Sequence, residues 1–472
     1  MWLAMVGALA WGGPLAGPVT VDHCDVDGRL RWARSVPPSD DRFDPPDADP
    51  WPGVTPGASA AAWARIADAV RSGSLPPSGA VRPEEIVQML PPDDPPPPPG
   101  EDVVVRAEAV ASPWSADEAV LRIAVTTRRP RPLDRAPVRV AVVVDARTDG
   151  DSGLRTARRA IRALAQGLRP DDTVTLVDSA RGIVAPAAPV GDGAALLAAA
   201  DGLVAVERDH DLPGALIRGY AALAGGTGPS RVVLLSDGDV GLVEQFDALG
   251  ALASSRAGVG VGLTAVGIGT LHGRDESLEG LARAAGGTYL GLRDGDDAQR
   301  MLGDFVSSVV EPVVTDVRLV VDWGPAVVGV HRMGNHQERL SDLGPATPAG
   351  RELGAGRTAV VVYEVKLAPG AQGLSLGRVR VRSTSVRDGV PRVEALQLPD
   401  GRAPYAEASP SARLALVATE LGELIVGTRP AERAPDLVAL AASAQRAEYP
   451  EDAELVEVVT LAAPLLAGPR CW

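Results

Sequence analysis

The stretch VRVAVVVDARTD, residues 138–149, decides which fold this 472-residue chain should adopt. Six of its first seven residues are apolar and five of these are valine, which is typical of a fully buried parallel strand. The run ends abruptly at Asp145 and continues into a polar turn. Because ligands of open α/β sheets bind outside the carboxyl ends of the strands, Asp145 marks a candidate site.

The same pattern returns in RVVLLSDGD, residues 231–239. A second buried strand again runs directly into an aspartate, Asp237. If the two strands lie side by side, Asp145 and Asp237 meet in one crevice at the carboxyl edge of the sheet. The sequence therefore predicts a site with two carboxylates.

The order of these patterns predicts the domain organisation. Within residues 132–311, apolar strands alternate with amphipathic helices, which indicates an α/β domain with a doubly wound, mostly parallel, Rossmann-like sheet. Residues 101–128 and 313–400 alternate as antiparallel strands, so we expect one β-sandwich into which the α/β domain is inserted. Residues 21–100 predict a Pro-rich N-terminal segment with a short helix, and residues 405–472 a small C-terminal helical domain.

Composition limits the partners that the site can have. With 46 Lys and Arg residues against 61 Asp and Glu residues, the formal net charge is −15. Nucleic-acid-binding proteins need a basic surface to neutralise phosphates, and the sequence shows no basic stripe of this kind. We therefore expect no nucleic-acid partner.

The N-terminal residues MWLAMVGALAWGGPLAG have an apolar core of about ten residues followed by small residues. This length is typical of a signal peptide, so residues 1–20 predict export to the periplasm or cell envelope. A buried strand or a misassigned start is the alternative. No other segment has the roughly 20 uninterrupted apolar residues of a transmembrane span, so none is expected.

The two cysteines of the chain, Cys24 and Cys471, lie near its two ends. In an exported protein they would form one disulfide that ties the ends together. Closing so long a loop contributes on the order of 4 to 5 kcal/mol in the entropic model. Two unrelated free thiols are the alternative.

Several motifs together resemble one family. The motifs are GSLPPSGAVRPEEIVQML (73–90), PW (113–114), VAVVVD (140–145), LLSDGD (234–239) and GRELGAGRTAVVVYEV (350–365). With them, residues 54–470 resemble the bacterial von Willebrand factor type A (VWFA) domain proteins called Ca-activated chloride channel homologues. The resemblance implies a VWFA fold and a protein-binding role. Without a membrane span, no ion conduction is expected.

In that family a divalent cation is bound by a D-x-S-x-S motif after the first strand, a threonine in a later loop and an aspartate after the fourth strand. Such hard oxygen ligands suit Mg²⁺. Here Asp145 and Asp237 match the first and last positions. Arg147 and Asp149 replace the two serines, and His210 replaces the threonine. The resemblance therefore implies a degenerate metal site without a cofactor; Mg²⁺ held by Asp145, Asp149 and Asp237 is the alternative.

Arg147 is the residue that we expect to replace the metal. Two carboxylates that converge on a partly buried crevice cannot both remain ionised without a counter-charge. A guanidinium can pair with both of them, since it binds carboxylates in bidentate geometry and does not deprotonate. The alternative is that Arg147 points to solvent and Asp149 completes a distorted cation site with water. The predicted binding face comprises Asp145, Arg147, Asp149, His210, Asp237 and Asp239.

The expected function is that of a non-catalytic protein-binding or adhesion module with a protein partner. A cation-dependent adhesion protein is the alternative, and a hydrolase is a more remote one. Ser236 or Ser179 could form a triad with His210, but the sequence contains neither a G-x-S-x-G motif nor an HExxH zinc motif.

Overall fold

The structure is a computed structural model. It describes residues 43–46, 60–78, 81–91, 93–129, 135–147, 150–206, 210–226, 228–238, 246–268, 275–292, 298–304, 306–333, 351–371, 373–399 and 401–467. The predicted signal peptide and both cysteines lie outside these residues. Within them, no helix is long and apolar enough to cross a membrane.

The described part of the chain contains the following β-strands and α-helices, numbered in chain order. The strands are β1 (Val103–Ala111), β2 (Glu118–Thr127), β3 (Arg139–Val144), β4 (Thr173–Asp178), β5 (Gly182–Pro189), β6 (Ser230–Ser236), β7 (Val261–Ile268), β8 (Thr288–Leu292), β9 (Pro312–Trp323), β10 (Val327–Arg332), β11 (Arg351–Gly354), β12 (Thr358–Leu367), β13 (Gly377–Ser385) and β14 (Pro391–Gln397). The α-helices are α1 (Ala60–Arg71), α2 (Pro83–Met89), α3 (Gly150–Gly167), α4 (Ala194–Asp201), α5 (Leu212–Ala222), α6 (Phe246–Ala257), α7 (Asp275–Ala284), α8 (Val306–Val310), α9 (Pro410–Val426), α10 (Ala434–Ala444) and α11 (Pro450–Ala467).

The strands from β3 to β8 form one sheet in the order β5-β4-β3-β6-β7-β8. All neighbours in it run parallel except β5, which runs antiparallel to β4. The chain first moves outward from β3 to β5 and then returns to the other side of β3 with β6. This reversal next to β3 is the switch point of a doubly wound sheet, where ligands bind. The predicted α/β fold class is confirmed.

The valine run of β3 explains why helices cover both faces of this sheet. Val140, Val142 and Val144 contribute to a core that includes side chains of α3 and α4. Ala141 and Val143 contribute to the core on the opposite face, with side chains of α5, α6 and α7. Because alternate residues of a strand point to opposite faces, a sheet that is covered on both sides requires an uninterrupted apolar run.

β5 is a strand that the sequence pattern does not predict. Its sequence, GIVAPAAP, consists mainly of small residues and prolines, and all eight residues are partly or fully exposed. It lies at the edge of the sheet and pairs with β4 through two register shifts. An edge strand tolerates proline, because one side of its backbone need not donate to a neighbour. The apolar run used to recognise the other strands is therefore missing here.

Strands from both sides of the parallel sheet build a sandwich of two antiparallel sheets. Their orders are β1-β2-β12-β10 and β11-β9-β13-β14. β2, which precedes the α/β unit, pairs with β12, which follows it, from Thr126↔Thr358 to Glu118↔Lys366. The side chains between the two sheets form one apolar core. The α/β unit is therefore inserted into the sandwich.

A layer of helices covers the other face of the β1-β2-β12-β10 sheet. Val120, Val360 and Val362 of that face share one core with side chains of α1, α2, α9, α10 and α11. Trp63 and Ile66 of α1 are 1% and 0% exposed. The sequence predicts the N-terminal and C-terminal helices as separate parts, whereas the structure joins them. Short helices are marginal alone, so α1 and α2 depend on the C-terminal helices to bury their apolar sides.

Buried charges mark the points where the chain enters and leaves the α/β unit. The Arg135 guanidinium pairs with the Asp172 carboxylate, and these side chains are 2% and 0% exposed. Burial alone would raise the pKa of Asp172, but hydrogen bonds from Arg135 and from two backbone amides lower it below its ordinary value. This contribution to stability is present above the ordinary carboxyl pKa and is lost as the pH falls through the lowered one. Glu311, in the exit linker, has a pKa raised by burial.

An ion pair holds the α/β unit on the sandwich. Arg231, at the amino end of β6, pairs with Glu352 of β11, and Glu352 N donates to Gly286 O at 3.1 Å. The Arg231 side chain is 2% exposed, so the pair is largely removed from water. Asp145 follows the carboxyl end of the neighbouring strand, β3. The α/β unit is thus fastened at the edge opposite to the candidate site.

We expect residues 130–312 to be removable without unfolding the sandwich. Thr127, at the end of β2, donates its hydroxyl to Gly354 O at 2.6 Å, and Gly354 pairs with Pro312 at the start of β9. The two ends therefore lie close together, and a short Gly/Ser linker can join them. The shortened chain should unfold in urea in one cooperative transition, followed by circular dichroism. A cooperative transition of either flank expressed alone would contradict the shared sandwich.

Candidate functional site

Asp145 follows the last residue of β3 at the switch point and is fully buried, with 0% exposure. Its backbone N donates to Leu235 O of β6 at 2.9 Å, so the strand pairing continues into the first residue of the loop. A carboxylate in this position has lost its hydration shell and needs hydrogen bonds or a cation instead. The groups that meet it therefore decide what the site can do.

Protein groups donate to both oxygens of the Asp145 carboxylate. Ser236 Oγ, at the end of β6, lies 2.9 Å from Asp145 Oδ2. The backbone N of Arg147 lies 3.0 Å from Asp145 Oδ1. Ser236 Oγ in turn accepts a hydrogen bond from the backbone N of Gly238 at 3.1 Å. The carboxylate therefore joins the loops that leave β3 and β6.

Ser179, which follows β4, connects two more loops to this arrangement. Its Oγ accepts from Ala146 N at 2.9 Å, and its N donates to Val144 O at 3.0 Å. Its carbonyl oxygen accepts from Asp211 N at 2.8 Å. One buried serine thus joins the loops after β3 and β4 to the loop before α5.

His210 lies in the loop before α5 and is half-buried. Its neighbour Asp211 is the N-cap of α5, where Asp211 Oδ1 accepts from Gly214 N at 2.7 Å. An aspartate N-cap with proline in the first turn is a favourable helix start. The loop is therefore fixed by α5 on one side and by Ser179 on the other, which places His210 at the same edge of the sheet as Asp145.

The other residues of the predicted binding face have different positions. Asp237 follows Ser236 and is only 6% exposed, so a second buried carboxylate lies at the end of β6. Arg147 is exposed in the turn after Asp145. The structure therefore brings Asp145, Arg147, His210 and Asp237 to one edge of the sheet. Asp149 and Asp239 lie outside the described residues.

The serines have structural partners. The Ser236 hydroxyl donates to a carboxylate, and the Ser179 hydroxyl accepts from a backbone amide. In the described part of the chain, neither serine hydrogen-bonds to His210. A serine nucleophile needs a base in contact with it that is oriented by a third group. The described residues do not assemble the serine–histidine pair considered for a hydrolase.

Oxygen donors at this edge are of the type that Mg²⁺ prefers. Asp145 Oδ1 and Oδ2 each accept a hydrogen bond from the protein. Among the described residues, no three or more His, Cys, Asp or Glu side chains are grouped so as to hold a metal ion. Because Asp149 is outside that set, the ligand set Asp145, Asp149 and Asp237 stays a prediction.

Ser236 has a role in the structure that differs from the one its sequence context indicates. The sequence offers this serine only as a nucleophile, whereas in the structure its hydroxyl donates to Asp145 and positions it. The sequence signal for a contact between Ser236 and Asp145 is the similarity of the two strand ends, VVVD and LLSD. β3 and β6 pair with Val144 opposite Leu235, so the next residues, Asp145 and Ser236, are neighbours.

The chain is similar in part to known proteins. Residues 39–122 match a family model described as vWF_A, von Willebrand factor. These residues precede the parallel sheet and include α1, α2, β1 and part of β2. The uncharacterized protein YfbK of Escherichia coli (strain K12) is 22% identical over 337 residues. That match covers 67% of this chain and 58% of the length of YfbK.

Two similar solved structures carry type A names. The von Willebrand factor type A protein from Catenulispora acidiphila is 17% identical, with a TM-score of 0.42, over 77% of this chain and 86% of that one. The ArnB paralog VWA2 from Sulfolobus acidocaldarius is 13% identical, with a TM-score of 0.38, over 76% of this chain and 98% of that one. The family-model match over residues 39–122 confirms the predicted resemblance to von Willebrand factor type A proteins. The chloride channel homologue subtype stays a prediction.

We expect Ser236→Ala to destabilise the protein by about 1 to 3 kcal/mol, because it removes a donor from a buried carboxylate. Ser230→Ala is a matched control in the same strand. The Ser230 hydroxyl donates only to the nearby Gly228 O at 3.2 Å, so its loss should cost less than about 1 kcal/mol. Urea denaturation of both variants at neutral pH measures the difference. Equal losses would show that Ser236 does not support Asp145.

Proposed function

We propose that this protein, which resembles von Willebrand factor type A proteins, is a non-catalytic binding or adhesion module that holds a protein partner at the carboxyl edge of its parallel sheet. Type A domains generally mediate protein interactions, which supports this class of function. The proposal rests on the buried Asp145 carboxylate, whose two oxygens accept hydrogen bonds from Ser236 and from the Arg147 amide. From the apolar N-terminus we further propose that the module acts in the periplasm or cell envelope.

The finer part of the proposal is that the site works without a metal ion. Three of the five ligand positions of the family are changed, at Arg147, Asp149 and His210. The Asp145 carboxylate is already oriented by protein donors. A cation that displaced those donors would have to compensate for two hydrogen bonds to a buried charged group.

Arg147 supplies the positive charge in place of the metal. The hydrogen bond from its backbone N to Asp145 places the start of its side chain beside the crevice. Asp237, at the end of the next strand, contributes a second buried carboxylate. A guanidinium has enough donors to pair with these carboxylates and with a carboxylate of the partner. The exposure of Arg147 supports contact with a partner, for which we propose an acidic side chain at the point of contact.

The alternative is a cation-dependent adhesion protein, with Mg²⁺ held by Asp145, Asp149 and Asp237. The oxygen chemistry of these residues supports it. The two functions differ in one property: only the second requires a divalent cation for the partner to bind.

Calorimetric titration with MgCl₂ and MnCl₂ separates the two proposals. The wild type should bind neither ion, because Arg147, Asp149 and His210 are poor replacements for two serines and a threonine. The triple variant Arg147→Ser, Asp149→Ser, His210→Thr restores the hydroxyl ligands and should bind both ions. Asp145→Ala in the triple variant is the matched control and should abolish this binding.

Micromolar binding of either ion by the wild type would overturn the metal-free site. Absence of binding by the triple variant would show that the edge is not equivalent to the cation site of the family. Urea denaturation of each variant confirms that a negative result comes from a folded protein.

A further inference from the structure

We propose that the outer edge of β10 is a binding site for an extended peptide, which the chain's own residues 43–46 occupy in cis. These residues, Phe-Asp-Pro-Pro, are called the strap below. Among the described strands, β10 is an end strand of its sheet and pairs with β12 on one side. On the other side it meets the strap, far from it in sequence. This site is separate from the edge of the parallel sheet at Asp145.

The strap binds β10 through its backbone. Asp44 N donates to Val330 O at 2.8 Å, and Val330 N donates to Asp44 O at 2.9 Å. This reciprocal pair is the unit of an antiparallel ladder. The next two residues of the strap are prolines, which have no N–H to donate. Among the described residues, the strap and β10 are therefore bridged by one residue pair.

The side chain of Phe43 gives the contact its specificity. Val330 is 1% exposed and belongs to the core of the sandwich, so Phe43, one residue from Asp44, lies on the opposite face of the sheet. There it packs over Gly329: a Cβ atom built on this glycine would lie 2.9 Å from Phe43 Cβ and 3.3 Å from Phe43 Cγ. Only a residue without a side chain leaves room for the ring. Gly329 therefore forms the floor of an aromatic subsite.

A cation closes this subsite. Lys366 is the residue of β12 that pairs with Gly329, and its Nζ lies 5.9 Å from the centre of the Phe43 ring. This distance is within the range of a cation–π interaction. Lys366 is also the only lysine of the chain, in which arginine supplies all other basic side chains. The subsite thus selects an aromatic ring by shape and by charge.

These contacts define the partner that the edge fits. It is an extended segment of another protein with an aromatic residue, then a residue with a free N–H and C=O, then proline. Such a segment would add to the sheet edge as the strap does. Because the strap belongs to the same chain as β10, it has a high effective concentration there and competes with any free peptide. The partner must displace the strap to bind.

The test uses the full chain with the strap weakened by Phe43→Ala and Asp44→Pro, which remove the ring and the donor N–H. A fluorescent peptide of residues 40–49, DDRFDPPDAD, is titrated with this open variant and with the wild type by fluorescence anisotropy. We expect saturable binding to the open variant and binding weaker by about tenfold or more to the wild type. A peptide with alanine in place of phenylalanine should also bind about tenfold more weakly to the open variant.

Gly329→Ala in the open variant tests the floor of the subsite. Once the strap has left β10, the added Cβ lies 3.5 Å from Lys366 Cβ, which is an ordinary contact distance, so the fold should keep its stability. Peptide binding should nevertheless be lost. Gly401→Ala is the matched control, because a Cβ there has nothing within 4 Å, and it should leave binding unchanged.

A second measurement follows the occupancy of the subsite at Lys366. Reductive ¹³C-methylation labels this lysine and the N-terminal amine, and the chemical shift of the Lys366 methyl groups reports the ring current of a phenylalanine in the subsite. Excess peptide added to the open variant should move this signal toward its position in the wild type.

The proposal fails if the open variant is folded but does not bind the peptide, if both peptides bind equally, or if Gly329→Ala and Gly401→Ala behave alike. Dimerisation of the open variant without peptide would also overturn it, because a second copy would then be the occupant.

Discussion

Burial of the Asp145 carboxylate is the constraint on which the candidate site depends. Asp145 directly follows β3, a strand that is apolar because helices cover both faces of the sheet, so its carboxylate is removed from water as well. A buried carboxylate is stable only if other groups satisfy it. Ser236 and the Arg147 amide do so, and Ser179 fastens the backbone next to it. The starts of the loops after β3, β4 and β6 are therefore connected through the groups that accommodate this charge.

The arrangement of the layers determines where partners can approach. The parallel sheet is fastened to the sandwich at its amino edge through Arg231 and Glu352, and Asp145 is at the other edge. Within the sandwich, one sheet is packed between the second sheet and a layer of helices from both ends of the chain. Its edge strand β10 receives the strap. The two proposed binding sites, at the Asp145 edge and at the outer edge of β10, therefore lie in different parts of the fold.

Short sequence patterns predict the strands that are buried on both faces of the sheet. The valine run of β3 and the run before Asp237 identify the strands, their parallel arrangement and the carboxyl edge. β5 is missed because an edge strand of small residues and prolines has no apolar period. The role of Ser236 depends on the register of β3 and β6, and the joining of α1 with the C-terminal helices depends on long-range packing. Neither is encoded within a short stretch of sequence.

Capture of a partner by the immobilised protein from native cell-envelope extract, in EDTA and in MgCl₂, tests the central claim most directly. A metal-free face with Arg147 as its cation predicts that the same protein is captured in equal amounts under both conditions. Arg147→Glu should then lower capture by about tenfold, whereas Arg162→Glu, an exposed arginine of α3, should leave it unchanged. Capture that is lost in EDTA and restored by Mg²⁺, or that is insensitive to Arg147→Glu, would contradict the account.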